Sequence, residues 1–180
     1  MRADAARNRE AVLDAAGRLL DTATDPGQVS MDDVAAVAGV GKGTLFRHFG
    51  DRVGLLRALY EERSTRLHEE LRAVAPGRPA DQVLSLLHAT LQFKIRNRTL
   101  SLALEGSGSG SPYRNATYHD LHAALTDLIA RARGRDSADF LAHALLASVR
   151  SDLVAHLHEW PPERLHEGLG TLADAVLGRG

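Results

Sequence analysis

The sequence predicts an all-α chain of about nine helices, on three observations. Apolar residues recur at three- and four-residue spacing along most of its length. No stretch alternates valine, isoleucine and threonine with the two-residue period of a strand, and aromatic residues make up only 4% of the chain. Helix breakers separate the periodic segments, at Thr24-Asp25-Pro26-Gly27, at Pro76-Gly77-Arg78-Pro79 and at Trp160-Pro161-Pro162.

Val12, Ala16, Leu19 and Leu20 make residues 5–22 amphipathic and supply a first helix. Ser30 followed three residues later by Asp33 is a capping-box pattern, and Val29 with Val34 completes a hydrophobic staple. The helix begun there has Val34, Val37 and Ala38 as its apolar face and stops at Gly39, which can take positive φ, with Val40 as the plug of the turn. A second short helix over 42–49 is too short to stand alone and is held through Leu45 and Phe49. Its other positions, Lys42, Thr44, Phe46, Arg47 and His48, face outward. An apolar back with a cationic and hydroxyl front is the shape that enters a DNA major groove.

Residues 38–52, A-G-V-G-K-G-T-L-F-R-H-F-G-D-R, resemble the signature of the TetR family, and the resemblance extends over about residues 7–60. It implies a three-helix helix-turn-helix domain over 1–52, a connector helix over 52–75 and a C-terminal regulatory and dimerisation domain over 76–180. Carried over residue by residue, it implies a DNA-binding set of Ser30, Lys42, Gly43, Thr44, Phe46, Arg47, His48 and Arg52. Lys42 and Thr44 would approach base edges and phosphates, Phe46 and His48 would lie against the backbone, Gly43 would permit close approach, and Arg52 would open the next helix near a phosphate. Two departures weaken this grip. Gly41 stands where a serine often caps the recognition helix, and Phe46 replaces a common tyrosine and its phenolic hydroxyl, which shifts phosphate contact toward Arg47, His48 and Arg52. The competing account is a helical hairpin that only packs within a bundle, but such a hairpin would not expose Lys42, Arg47, His48 and Arg52 together.

The formal net charge of −1 opposes nucleic-acid binding, whose non-specific part comes from neutralised phosphates. Even residues 1–60 are balanced, with eight cations and eight acids. Their positions differ: Arg2, Arg7 and Arg9 crowd the N-terminus and Lys42, Arg47 and Arg52 the short helix, while Asp21, Asp25, Asp32 and Asp33 lie at helix ends. The expectation is a small basic footprint whose specificity depends on dimerisation. No run of about twenty apolar residues spans a membrane, and the absence of cysteine fits a reducing cytoplasm.

Beyond the motif, Leu55, Leu56, Leu59, Tyr60, Leu67, Leu71 and Val74 carry one face of the connector. Residues 81–99 are apolar on nearly every side and predict a buried central helix, so His88 and Lys94 either snorkel at its edges or line a ligand cavity. Phe93, Tyr113 and Tyr118 complete the pocket set. A short piece at 100–104 precedes a Gly-Ser link at 106–111, then helices over 112–133 and 137–159. Leu141, Leu145, Val149, Leu153 and Leu157 repeat every four residues, and Leu165, Leu169, Leu172, Ala173, Val176 and Leu177 form a second stripe. The resemblance implies that these two helices form a four-helix dimer interface, through Leu145, Val149, Leu153, Leu165, Leu169, Leu172 and Val176. A two-fold dimer matches a palindromic operator.

Catalytic patterns are missing from the sequence. There is no HExxH, no nucleophile elbow and no phosphate loop. His119 and His122 are three apart but lack a third ligand at fixed spacing, so no metal and no cofactor are expected and the nine histidines read as solvated or hydrogen-bonding groups. The expected function is a cytoplasmic, homodimeric, DNA-binding regulator, a repressor released by an unidentified small molecule rather than an enzyme. The alternatives are a helical metal-binding protein or enzyme that keeps a helix-turn-helix as scaffold, which needs ligands to converge on His119 and His122, and an interaction module for which Lys42 and Arg47 are dispensable.

Overall fold

A computed structural model describes residues 2–72, 77–106 and 116–178, without the side chains of 2, 3, 66, 70–72 and 106. All regular structure among them is helical: α1 (Arg2–Thr22), a 3-10 turn at Pro26–Gln28, α2 (Met31–Ala38), α3 (Lys42–Phe49), α4 (Arg52–Arg72), α5 (Pro79–Arg96), α6 (Arg98–Gly106), α7 (Ala116–Arg133), α8 (Ala138–Ala147), α9 (Ser151–His156) and α10 (Pro162–Leu177). The single helix expected over 137–159 is divided. Arg150 takes extended backbone at φ −64 and ψ 147, so the four-residue repeat is broken there. After the break Val154 turns to the core and Leu153 is 39% exposed.

The chain forms two compact units, Met1–Arg63 with Thr99–Gly110, and Ser64–Arg98 with Ser111–Gly180. In the first, Val12, Leu13, Ala16 and Leu20 of α1, Val34 of α2, Leu45 of α3 and Leu55, Leu56 and Leu59 of α4 share one core with Leu100 and Ala103 of α6. Residues 99–106 therefore belong with the N-terminal unit, although sequence order places them beside the C-terminal helices. Arg63 of α4 donates to both carboxylate oxygens of Asp21 at 2.8 Å, a bidentate pair that fixes α1 against α4. The second core joins Val83, Leu87 and Leu91 of α5, Leu125 and Ile129 of α7, Ala142 and Leu145 of α8, Val149, Val154 of α9, and Leu169 and Ala173 of α10. No helix among the described residues is long and apolar enough to cross a membrane.

The start and stop signals work as their chemistry requires. Ser30 Oγ accepts the Asp33 amide at 3.2 Å while Asp33 Oδ2 accepts the Ser30 amide at 3.1 Å, so the capping box closes. Gly39 ends α2 at φ 67, and Gly134 follows α7 at φ 96, both left-handed conformations open to glycine. On α2 the buried face is Val34 and Ala35 with Ala38 partly covered, and Val37 is 49% exposed. The expected Val34–Val37–Ala38 face is thus rotated, because Ala35 is small enough to take the inward position.

A candidate nucleic-acid interface on the third helix

α3 is anchored by Leu45, with Phe49 packed against the same core. Leu45 is fully buried and Phe49 partly so, while Lys42, Gly43, Phe46 and Arg47 are exposed and Thr44 and His48 are half-buried. Burying a leucine contributes about 1.5–3 kcal/mol, enough to hold two helical turns that have no stability of their own. The N-cap is Gly41, without a side-chain cap bond, so the first-turn amides of α3 are left uncovered by any side chain.

Gly43 has an ordinary φ, and a Cβ built on it meets nothing within 4 Å. Neither backbone strain nor internal packing explains a glycine here. Gly54 in the first turn of α4 is the opposite case, since its Cβ would stand 2.0 Å from the Phe49 carbonyl oxygen. That contact seals α3 against α4, and Asp51 Oδ1 caps the same turn by accepting the Gly54 amide at 2.7 Å.

Several predicted residues have other partners. Lys42 Nζ pairs with Asp32 at 2.6 Å, both exposed, a contact worth at most about 1 kcal/mol that a phosphate can displace. Ser30 is occupied by the capping box. Arg52 is turned inward rather than toward a phosphate: its Nε donates to the Val29 carbonyl at 3.0 Å and its Nη2 to the Pro26 carbonyl at 2.5 Å. The 3-10 turn leaves those carbonyls pointing at the start of α4, so the guanidinium clamps the domain instead of extending from it. His48 is half-buried, and its Nε2 is out of solvent without a hydrogen-bond partner among the described residues. Arg47 is exposed and makes no ion pair among the described residues. One cation near the site was not singled out from sequence: Arg9 of α1 lies over the Phe49 ring, 5.9 Å from its centroid. The cluster of N-terminal arginines was the available signal, but forty residues of separation hid the contact.

The predicted pocket residues that are described have separate surroundings. Phe93 is buried at 3% exposure, Lys94 Nζ donates to the buried Ser151 hydroxyl at 2.8 Å, and Tyr118 meets His143 Nδ1 through its hydroxyl at 2.5 Å. His88 stacks obliquely on His166, ring centroids 4.6 Å apart, and burial pushes its imidazole below the usual value. Tyr113 and the 106–111 link lie at or beyond the edge of the described residues, and Leu71 and Val74 are not among the described side chains. A cleft of about 700 Å³ does open in the second unit, lined among others by Arg78, Asp81, Leu84, Arg131, Ala173 and Leu177. Of the predicted residues that are described, His88, Phe93, Lys94 and Tyr118, none lines it.

Three of the seven predicted interface leucines and valines are core. Leu145, Val149 and Leu169 are at most 6% exposed within their own chain, because α8 and α10 turn one face each onto α5 and α7. Leu165 and Val176 are partly covered by that same core, whereas Leu153 and Leu172 are exposed, as are Phe140 at 73% and Trp160 at 39%.

The helix-turn-helix geometry and its exposed front agree with what the chain is similar to. Residues 12–59 match the model of the bacterial regulatory proteins of the tetR family. An HTH-type transcriptional regulator of Staphylococcus aureus is 29% identical over 164 residues, 88% of each chain. Among solved structures, a transcriptional regulator of Rhodococcus sp. Rha1 superposes with a TM-score of 0.75 at 22% identity, over 96% of this chain and 95% of that one. The TetR-like regulator LfrR of Mycobacterium smegmatis, in complex with proflavine, does so at 0.66 and 21% identity, over 97% and 98%. Residues 12–59 thus match the DNA-binding part of the tetR family of bacterial regulatory proteins, and the chain as a whole is similar to HTH-type transcriptional regulators in sequence and to TetR-like regulators in fold.

Proposed function

We propose that this regulator is a homodimeric repressor that reads a palindromic operator through α3 and is released by a small molecule bound in the second unit. The observation that carries the DNA reading is Gly43, a helical glycine that nothing among the described residues requires, beside exposed Lys42, Phe46 and Arg47. A missing side chain there lets the helix backbone approach a groove wall. Lys42 and Arg47 supply the cations, with Arg9 nearby at the end of α3. The half-buried Thr44 is the hydroxyl nearest the groove, and the uncapped amides of α3 suit a phosphate oxygen. His48 is half-buried beside Phe49 and lies at the edge of this set. Ser30 and Arg52 act through the fold, holding α2 and the turn before it.

Two heads on a two-fold axis are needed because this footprint is small. Among the described residues of the second unit, Leu153, Leu172, Phe140 and Trp160 are large apolar side chains exposed to a second copy. The cleft of about 700 Å³ falls within the size range of ligand sites and is the proposed effector site. The proflavine in the LfrR structure supports a small-molecule effector for a protein of this fold. α4 runs from one unit into the other, so a ligand that favours one disposition of the second unit shifts the heads by its differential affinity. A protein with this role acts in the cytoplasm.

The test is selection of bound DNA from a random pool. A palindrome with half-sites about one helical turn apart supports the reading, and no enrichment, or enrichment of an unpaired half-site, would sink it.

A further inference from the structure

His122 on α7 and Asp139 and His143 on α8 bring three potential ligand atoms to within 4.8 Å of one another. Asp139 and His143 are one turn apart on their helix and so share a face, while His122 reaches them from α7. The two imidazoles are stacked, with centroids 3.9 Å apart and planes at 30°. His122 Nε2 stands 3.4 Å from Asp139 Oδ1 and 3.3 Å from the Asp139 carbonyl oxygen. Behind them, the Tyr118 hydroxyl lies 2.5 Å from His143 Nδ1 and the Tyr118 ring stacks on His122 at 6.2 Å.

We propose that His122, Asp139 and His143 bind a divalent transition-metal ion. Two imidazoles and one carboxylate are the donor set of Zn²⁺, Co²⁺, Ni²⁺ or Cu²⁺, whereas Ca²⁺ and Mg²⁺ take oxygen ligands. Metal–ligand bonds of about 2.0–2.2 Å place ligand atoms about 3.3–3.6 Å apart in a tetrahedron. Asp139, whose side chain is 78% exposed, has the freedom to close that distance by rotating. In the tautomer in which His143 Nδ1–H donates to the Tyr118 oxygen, Nε2 carries the lone pair that binds the ion, the usual outer-shell arrangement of a histidine ligand. His122 exchanges its bond to the Asp139 carbonyl for the metal, its remaining proton residing on Nδ1. Three protein ligands leave a coordination position open to water or a small donor, and the ion ties α7 to α8 within one unit.

The experiment is calorimetric titration of the tag-free full chain with Zn²⁺, alongside Co²⁺ absorption spectroscopy. The site predicts one equivalent per chain. His122→Ala and His143→Ala each weaken binding at least tenfold, Tyr118→Phe weakens it about tenfold, and His156→Ala with His158→Ala leaves it unchanged. Far-UV circular dichroism verifies the folding of each variant. With Co²⁺, the wild-type chain shows visible bands of low-coordinate cobalt, which Asp139→Asn weakens. No saturable Zn²⁺ binding, binding that survives both histidine substitutions, or a cobalt spectrum identical to that of the aqueous ion overturns the proposal, the last without reliance on any variant.

Discussion

A methyl group has opposite consequences at two helical glycines of this regulator. At Gly54 it would overlap the Phe49 carbonyl, so Gly54→Ala is expected to lower stability by about 1–3 kcal/mol, read as a drop in melting temperature. At Gly43 it enters open space, so Gly43→Ala is expected to leave stability equal or raise it by up to about 1 kcal/mol while weakening operator binding in fluorescence anisotropy. Undiminished binding by that variant would remove the close approach from the mechanism. The two arginines divide similarly. Arg47→Ala with Lys42→Ala is expected to weaken operator binding and reduce its salt slope by about one to two, without loss of fold. Arg52→Ala, which frees the Val29 and Pro26 carbonyls, is expected to cost about 1–3 kcal/mol of stability and to leave the salt slope alone. Residue type and spacing made Lys42, Gly43, Arg47 and Arg52 visible in the sequence, whereas Gly54 was visible only in the structure. They did not distinguish an arginine that faces out from one that faces in, because that depends on where the carbonyls of a turn 23 and 26 residues earlier come to rest.

At the scale of single helices, local chemistry was legible wherever donors and acceptors are neighbours in the chain. The capping box of α2 is such a case, and it carries a pH dependence. Bonds from Ser30, first its hydroxyl and then its amide, hold the Asp33 carboxyl below the usual carboxylate value. A carboxyl depressed in the folded state contributes stability above its unfolded pKa of about 4, and loses it as pH falls through the folded value. Exchange protection of the Val34 amide, which donates to the Ser30 carbonyl, should therefore fall in acid, and Asp33→Asn should flatten that fall. His88 titrates in a higher window. Burial first of all lowers its pKa from 6.5, so the unfolded chain takes up the proton first. Stability is expected to be full above about pH 6.5 and to decline as pH drops below it, and His88→Gln should remove this part of the profile. A melting temperature with the same slope in that variant would assign the decline elsewhere. The break between α8 and α9 was not legible. Ser148 and Arg150 are ordinary helix residues, and it is after the extended Arg150 that Val154 rather than Leu153 packs inward.

Over the whole molecule, the apolar stripes near the C-terminus divide into an inner and an outer set. Leu169, Ala173 and Leu177 face the core of their own unit, so Leu169→Asp would unfold it rather than separate two copies. Leu172 is the better probe of the proposed dimer. Leu172→Asp is expected to give folded monomers in sedimentation and to abolish tight operator binding, and a dimeric, DNA-binding variant would move the interface elsewhere. The metal-site candidates behaved likewise: His122 was noticed with His119, three residues away, but its neighbours in space are Asp139 and His143, 17 and 21 residues on. The sequence by itself determined the all-α class, the helix-turn-helix, its caps and its resemblance to the tetR family, since each depends on residues within a turn or two of one another and on the 3.6-residue period. Only the tertiary structure decided which half of each stripe is core, that α6 belongs with the first unit, and which cations remain outward. Those outcomes depend on the packing of helices far apart in the chain, where burial and carbonyl positions are set jointly and no local pattern records them.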